Sequence, residues 1–334
     1  MAELFTRVFV PLGTILRRRG RADPSTFVLG VTKPVASQVG PAAGGYDPTK
    51  RIINGNYTMA TNEILENATI NGWLLHAPGS KVRGCEITGD PAGAYVNGGG
   101  IVRHPSSAAG SVTEFCNIGT KVLSDPAMNA MRMEGPSLAY RNDIHGGTDA
   151  IKVANNSTDR VKIHANFLHA YAFRTDDPAQ AANAQAPGHT HNDGIQANGN
   201  AASNWEAIGN FFDWTYDPAI SNAAPTIIFG ASITLSNTTR ATNVLIDANW
   251  HQGGDVGFQS GATGGGQVLG DIVISNGRWA GNFRLGMAIR YNAANYGSMQ
   301  GEFTNTYGEG LSGVPSSGKV AGQALAVGNG IKRD

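Results

Sequence analysis

Residues 161–213 read VKIHANFLHAYAFRTDDPAQAANAQAPGHTHNDGIQANGNAASNWEAIGNFFD and contain one short phrase twice. The phrase is a small, a polar and a large apolar residue, first at Ala165-Asn166-Phe167 and again at Gly209-Asn210-Phe211. It also occurs at Cys85-Glu86-Ile87, Cys116-Asn117-Ile118, Asn142-Asp143-Ile144, Ala248-Asn249-Trp250 and Gly277-Arg278-Trp279. Repeats at intervals of roughly 20 to 50 residues are typical of solenoids, in which each unit buries its apolar side only against its neighbours.

A second column of the repeat places an apolar residue directly before a polar one. Side chains of a strand alternate between two faces, so the apolar members should point inward and the polar members outward. The residues predicted to face inward are Val102, Met131, Ile151, Ile195, Ile233, Phe258 and Ile289. The residues predicted to face outward, named the polar stripe below, are Arg103, Arg132, Lys152, Gln196, Thr234, Gln259 and Arg290.

The polar stripe is a candidate binding surface because four of its seven members are cationic. A row of cations along a solenoid wall suits an elongated anionic or hydroxyl-rich polymer. The alternative is that these residues are polar only because the outside of a solenoid is solvated.

The pattern and the composition agree on the fold class. Two strand registers per repeat, without helical periodicity, predict an all-β parallel β-helix. The 45 glycines and the charged fraction of 15% fit a fold made of strands and tight bends. The formal net charge is zero, which argues against wholesale nucleic-acid binding.

Three segments are predicted along the chain. Residues 1–48 are rich in Pro, Gly, Ala and Ser after an apolar beginning, and they form a predicted N-terminal arm that docks on a larger assembly. Residues 49–307 form the β-helix, and residues 308–334 form a C-terminal cap or tail. The beginning of the chain is a poor match to a secretion signal, and no segment is apolar enough to predict a membrane span.

The two cysteines, Cys85 and Cys116, occupy the same position in adjacent repeats. Their spacing would permit a disulfide, but parallel side-chain vectors make the bonding geometry unfavourable. We therefore predict two small buried thiols, which is common for unpaired cysteine.

The longest insertions, residues 174–190 and 214–225, interrupt neighbouring coils, and such excursions often carry function. Histidines concentrate around the first insertion, which also holds Arg174 and Asp177. The predicted catalytic residues are Lys152, His169, His191 and Asp193. The predicted binding residues are Arg103, Arg132, Arg174, Asp177, Gln196, Trp214, Gln259 and Arg290.

Tryptophan positions divide between packing and binding. Trp250 and Trp279 stand in the column taken as inward and are expected to pack in the core. Trp214 lies in an insertion and is therefore the candidate for stacking on a sugar.

Three uses of the histidine-rich region stay open. A lysine or histidine that removes a proton beside a uronate carboxylate would make a lyase, whereas two carboxylates would support glycoside hydrolysis. A third alternative is a polar network that only pins the loop to the solenoid wall. No cofactor and no metal site are predicted, although His189, His191 and Asp193 would share one face of an extended segment, and calcium is the cation left open.

The motifs Asp-Ala-Ile-Lys, Ile-His-Ala-Asn-Phe-Leu-His, His-Asn-Asp-Gly-Ile-Gln and Ile-Gly-Asn-Phe-Phe-Asp resemble pectate-lyase-like right-handed parallel β-helix proteins, including bacteriophage minor tail proteins and tailspikes. The resemblance covers about residues 50–300 and specifies fold better than activity. The matching positions are His169, His191, Asp193, Gly194 and Gln196. The aspartate set of polygalacturonases and the carboxylate cluster with arginine of calcium pectate lyases are not found.

What the resemblance implies is a virion protein that assembles as a homotrimer. The expected function is a phage minor tail or tailspike-like structural protein that contacts a cell-surface polysaccharide and joins other tail proteins through residues 1–48. The alternative is a secreted or virion-borne polysaccharide lyase or glycoside hydrolase.

Overall fold

The computed structural model describes most of the chain up to residue 283 and short strands beyond it. The described residues are 27–89, 100–119, 129–155, 157–176, 181, 188–190, 192–198, 203–219, 221, 230–236, 242–254, 256–260, 272–283, 289–291, 301–304, 306–308, 317–319, 326–329 and 331–333.

Three sheets, A, B and C, make up almost all of the described structure, and as far as β28 each is built from every third strand of the chain. Sheet A consists of β1 (Arg51–Asn54), β4 (Ala68–Asn71), β7 (Glu86–Ile87), β10 (Asn117–Ile118), β13 (Asp143–His145), β16 (Phe167–His169), β19 (Phe211–Asp213), β22 (Trp250–Gly254), β25 (Arg278–Phe283), β28 (Thr306–Gly308) and β31 (Ile331–Arg333).

Sheets B and C follow sheet A in each coil as far as β27. Sheet B consists of β2 (Tyr57–Thr58), β5 (Leu74–Leu75), β8 (Gly100–His104), β11 (Asn129–Met133), β14 (Asp149–Val153), β17 (Ile195–Asn198), β20 (Ala231–Ser236), β23 (Val256–Ser260) and β26 (Ile289–Tyr291). Sheet C consists of β3 (Ile64–Glu66), β6 (Lys81–Arg83), β9 (Ser111–Glu114), β12 (Ser137–Tyr140), β15 (Val161–His164), β18 (Trp205–Ile208), β21 (Val244–Asp247), β24 (Ile272–Ser275), β27 (Gly301–Thr304), β29 (Ser317–Lys319) and β30 (Ala326–Asn329).

Each strand of the coils pairs in parallel with the strand three positions later, so the chain winds as a solenoid, consistent with the predicted parallel β-helix. Antiparallel pairing occurs among the described strands only where β29 meets β27 and β30. The first coil begins at Arg51, close to the predicted start of the β-helix.

The interior of the solenoid contains the predicted inward column. Val102, Met131, Ile151, Ile195 and Ile233 are fully buried in one apolar cluster that runs along the axis. This continuous burial stabilises the stack because each rung covers the apolar side of the next.

Both cysteines lie in this interior as free, buried thiols, as predicted. Two histidines also lie there. His76 and His104 stack with their ring centroids 4.0 Å apart, and Thr113 bonds to the Nε2 atoms of both rings. Buried polar groups are tolerated when they are hydrogen-bonded in this way.

The alignment of the repeated phrase was wrong by one residue in three of its copies. Asp143 pairs with Phe167, which pairs with Phe211, and Phe211 pairs with Trp250. A slip of one residue moves a strand's side chains to the opposite face. Phe167 and Phe211 therefore lie on the outer face of sheet A, and the prediction that Trp250 packs in the solenoid interior was also wrong.

Asparagines occupy the corner between sheets C and A in four successive coils. The side-chain amide of each one donates a hydrogen bond to the Oδ1 of the next, over 2.9 Å from Asn142 to Asn166, 3.0 Å from Asn166 to Asn210 and 3.0 Å from Asn210 to Asn249. All four are completely buried. Each also donates to a backbone carbonyl of a neighbouring rung, so the ladder satisfies the corner's backbone as well as its own amides.

Residues 27–50, named the strap, lie along the outside of sheet A and include two 3-10 turns (Ala36–Gln38 and Pro48–Lys50) and the short helix α1 (Gly40–Ala43). The Arg141 side chain donates to the Gln38 carbonyl over 2.8 Å, and the Gly40 amide donates to the Arg141 carbonyl over 3.0 Å. Val39 packs against Phe167 and Phe211. The strap thus covers Phe167 and Phe211 on the outer face of sheet A.

Candidate functional site

The polar stripe is a single column on sheet B. Backbone register pairs Arg103 with Arg132, Arg132 with Lys152, and Lys152 with Gln196. The column continues through the three remaining members, Thr234, Gln259 and Arg290. The predicted alignment on one wall is therefore confirmed for the backbone, and successive members are about 4.8 Å apart because that is the spacing of paired strands.

A carboxylate that the sequence reasoning did not single out controls the charge of the stripe. Glu134 forms ion pairs with both arginines: its Oε2 is 2.9 Å from the Nε of Arg103, and its Oε1 is 2.7 Å from the Nη2 of Arg132. Lys152 is partly exposed, and no ion pair or hydrogen bond of its side chain occurs within the part of the chain that the structure describes. The three cations and one anion leave a local net charge of about +2.

The stripe is interrupted at Thr234, which is buried. Its hydroxyl donates a hydrogen bond to the buried Oδ1 of Asp193 over 2.8 Å and therefore does not face the solvent. Gln259 and Arg290 continue the column in their backbone positions, but their side chains lie outside the described part of the structure.

Asp193, a predicted catalytic residue, is completely buried and fully engaged. Its Oδ1 accepts from the Ala231 amide over 2.9 Å and from the Thr234 hydroxyl, and its Oδ2 accepts from the Gln196 side chain over 3.2 Å. Its own amide donates to the Asp149 carboxylate over 2.8 Å. These bonds connect three successive rungs of sheet B, which is a structural role.

His169 lies on a different wall from the other predicted catalytic residues. It is on the outer face of sheet A, where its Nε2 is 2.6 Å from Asp143 and its ring stacks on Phe167 at 4.1 Å. Lys152 and Asp193 belong to the sheet B side of the coil. The structure therefore does not bring His169 together with Lys152 and Asp193, and His191 is outside the described residues.

The histidines that cluster in the sequence are distributed over two sheets. His145 and His169 are neighbours on sheet A, with ring centroids 5.6 Å apart, and burial lowers the pKa of His145. His164 lies on sheet C and bonds to Glu206 over 2.9 Å. Burial alone would raise the pKa of Glu206, but hydrogen bonds from His164 and Arg160 lower it to about 2.

The insertion residues that the structure describes are held by local contacts. Arg174 forms a two-pronged ion pair with Asp176, with Nε 2.7 Å from Oδ1 and Nη2 2.5 Å from Oδ2. Trp214 is buried, stacks on Tyr171 at 4.6 Å and donates to the Ser232 hydroxyl over 3.0 Å. Trp214 thus packs against the solenoid, and the prediction for Asp177 falls outside the described residues.

No group of three His, Cys, Asp or Glu side chains in the described ranges is arranged to hold a metal ion. None of the helices among those residues is both long and apolar enough to span a membrane.

Comparison of the chain with protein-family models, with curated proteins and with solved structures gives no match. The class of protein is therefore defined by the fold itself: an all-β solenoid of stacked parallel sheets with a polar, partly cationic wall.

Proposed function

We propose that the protein binds an acidic cell-surface polysaccharide along the polar stripe of sheet B. The observation that carries this proposal is the register that aligns Arg103, Arg132, Lys152 and Gln196 on consecutive rungs. A regular row of cations and amides suits a ligand that also repeats along its length. Arginine forms two-pronged bonds with carboxylates, and amides bond to hydroxyl groups.

The protein is proposed to act as a recognition component of a bacteriophage tail, since its motifs resemble those of minor tail and tailspike proteins. Homotrimeric assembly and attachment of residues 1–48 to other tail proteins are parts of the same proposal. Because the strap packs on the solenoid, the attachment is assigned chiefly to residues 1–26. Deletion of residues 1–26 should abolish incorporation into particles and leave the solenoid folded, and normal incorporation would refute the attachment.

A polysaccharide lyase or glycoside hydrolase is the less supported function. The Asp193 carboxylate is occupied by three hydrogen bonds, and His169 lies on another sheet. A general acid or base must reach the atom whose proton it transfers. Analysis of the glycan after incubation separates the two functions, because new reducing ends or unsaturated uronates mean cleavage and unchanged chains mean binding alone.

Binding to the stripe is tested with polygalacturonate oligosaccharides and with neutral galactose oligosaccharides of the same length. The wild-type protein should prefer the acidic oligosaccharide, and salt should weaken that preference. Lys152→Gln should weaken binding about fivefold, as expected for one solvent-screened charge contact. Lys162→Gln makes the same charge change on sheet C and is the matched control. Equal effects of the two substitutions would contradict a stripe-specific site.

A further inference from the structure

A column of rings and one guanidinium runs along the outer face of sheet A. Phe167, Phe211, Trp250 and Arg278 are paired in register on consecutive strands. Phe167 and Phe211 stack at 5.1 Å and are almost fully covered, in part by Val39 of the strap. Trp250, one rung further, is only partly buried. The column therefore emerges from beneath the strap at Trp250 and Arg278.

Arg278 stacks on Trp250 and forms no ion pair with the described residues. Its guanidinium carbon is 4.5 Å from the centroid of the Trp250 ring. No carboxylate pairs with it in the described ranges, and its Nη1 is shielded without a hydrogen-bond partner there. A stacked guanidinium keeps a fixed fork of donors that fits a carboxylate, and a shielded donor without a partner is unfavourable.

Two further polar groups lie near the preceding strands of the same wall, beside Trp250 and Phe211. Gln252, on the same strand as Trp250, is exposed. Lys33 of the strap places its Nζ 3.5 Å from the Oε1 of Gln252 and 3.7 Å from the centroid of Phe211. Burial raises the pKa of Asp213, and the nearby His169 and Lys33 partly oppose that increase. Lys33 is thus partly balanced by Asp213, whereas no carboxylate among the described residues balances Arg278.

We propose that Arg278, Gln252 and Lys33 form a second binding site, on sheet A, for a carboxylated sugar. Arg278, held in place by Trp250, binds the carboxylate through the guanidinium nitrogens other than the shielded Nη1. Gln252 and Lys33 bond to neighbouring hydroxyl groups. The site shares its ligand class with the proposed function but is physically separate from the stripe, because the two lie on different sheets.

The test is calorimetric titration of the full-length protein with a galacturonate tetrasaccharide, which is too short to bridge two walls. The wild-type protein should bind two equivalents per chain. Arg278→Gln should weaken the sheet A site at least about tenfold, since bonds to charged groups are among the strongest, and leave one equivalent. Arg278→Lys retains the charge without the fork and should give an intermediate loss. Unchanged stoichiometry and affinity in correctly folded Arg278→Gln would overturn the proposal.

A double variant of the stripe, Arg132→Gln with Lys152→Gln, separates this site from the proposed function. If it loses all binding and Arg278→Gln loses none, the stripe stands and the sheet A site fails. If Arg278→Gln alone removes binding, the sheet A site stands and the stripe fails. Circular dichroism and thermal unfolding of each variant establish that the fold is intact.

The fluorescence of Trp250 distinguishes ligand binding at Arg278 from a purely structural role of this arginine. Binding at Arg278 should change the tryptophan fluorescence, and Trp250→Phe should remove that change while the other tryptophans remain. Sulfated and neutral tetrasaccharides identify the ligand: preference for the carboxylate supports the proposal, and equal binding of all three contradicts it. Retention of the full fluorescence change in Trp250→Phe would also contradict it.

Discussion

The side-chain amide of Asn166 donates a hydrogen bond to the Oδ1 of Asn210 over 3.0 Å, and both residues are completely buried. Asn166 also accepts from the backbone amide of Asn142 and donates to the carbonyl of Ala139. One side chain therefore joins three rungs at the corner between sheets C and A.

Asn166→Ala should lower the free energy of unfolding by about 2–4 kcal/mol, because it leaves several buried polar groups without partners. Urea denaturation measures the change. Asn71→Ala is the control, since Asn71 donates to Asn54 in an exposed pair between the first two coils and its loss should change stability by less than about 0.5 kcal/mol. Similar losses in the two variants would show that the ladder is not a special source of stability.

The buried histidines should make stability depend on pH between 7 and 5. Burial lowers the pKa of His76 and of His251 to about 3, so both stay neutral in the folded protein. The unfolded chain binds protons at these residues near pH 6.5, and the free energy of unfolding therefore falls as pH drops below that value. The expected loss is about 2 kcal/mol per histidine from pH 7 to pH 5.

His251→Phe tests the direction of this pH dependence at a single residue. The substitution removes a protonation site and keeps a ring beside Phe212. Urea denaturation at both pH values should show a smaller pH dependence in the variant than in the wild-type protein. An identical pH dependence would mean that protonation of His251 does not contribute.

Glu134 should limit the affinity of the stripe for acidic sugars. Glu134→Gln removes the negative charge between Arg103 and Arg132, and the local net charge rises by one. Binding of polygalacturonate should become a few-fold tighter and more sensitive to salt. Glu66→Gln, which removes a carboxylate from sheet C, should leave the affinity unchanged. Weaker binding in Glu134→Gln would indicate that Glu134 is needed to position the arginines.

Asp193 should matter for stability more than for chemistry. Asp193→Ala leaves the Ala231 amide and the Thr234 hydroxyl without their acceptor and should destabilise the fold by about 2–4 kcal/mol. Asp193→Asn keeps an acceptor oxygen and should be milder. Thermal unfolding and a glycan-cleavage assay decide between the roles: a folded Asp193→Asn that loses a measurable cleavage activity would identify a catalytic carboxylate.

The period-two alternation around Val102, Met131 and Ile151 was enough to predict the strands, the inward column and the backbone register of the polar stripe, because each of these depends on neighbours two residues apart. It did not predict that Thr234, a member of the stripe, is buried. The buried cysteines followed from the same reasoning. The position of the outward aromatic residues did not, since corners of variable length hide a one-residue slip in register, and that slip sends Phe167, Phe211 and Trp250 to the outer face.

The sequence by itself determined that short apolar rungs must stack along one axis, because none can bury its apolar side alone. Only the tertiary structure decided which side chains meet on the outer faces of the sheets. Glu134 between two arginines, His169 on a different sheet from Lys152, and Lys33 beside Gln252 depend on where the coil turns and on how the strap folds back. Contacts between residues so distant in the chain leave no periodic signal, since they are fixed by the path of the backbone through space.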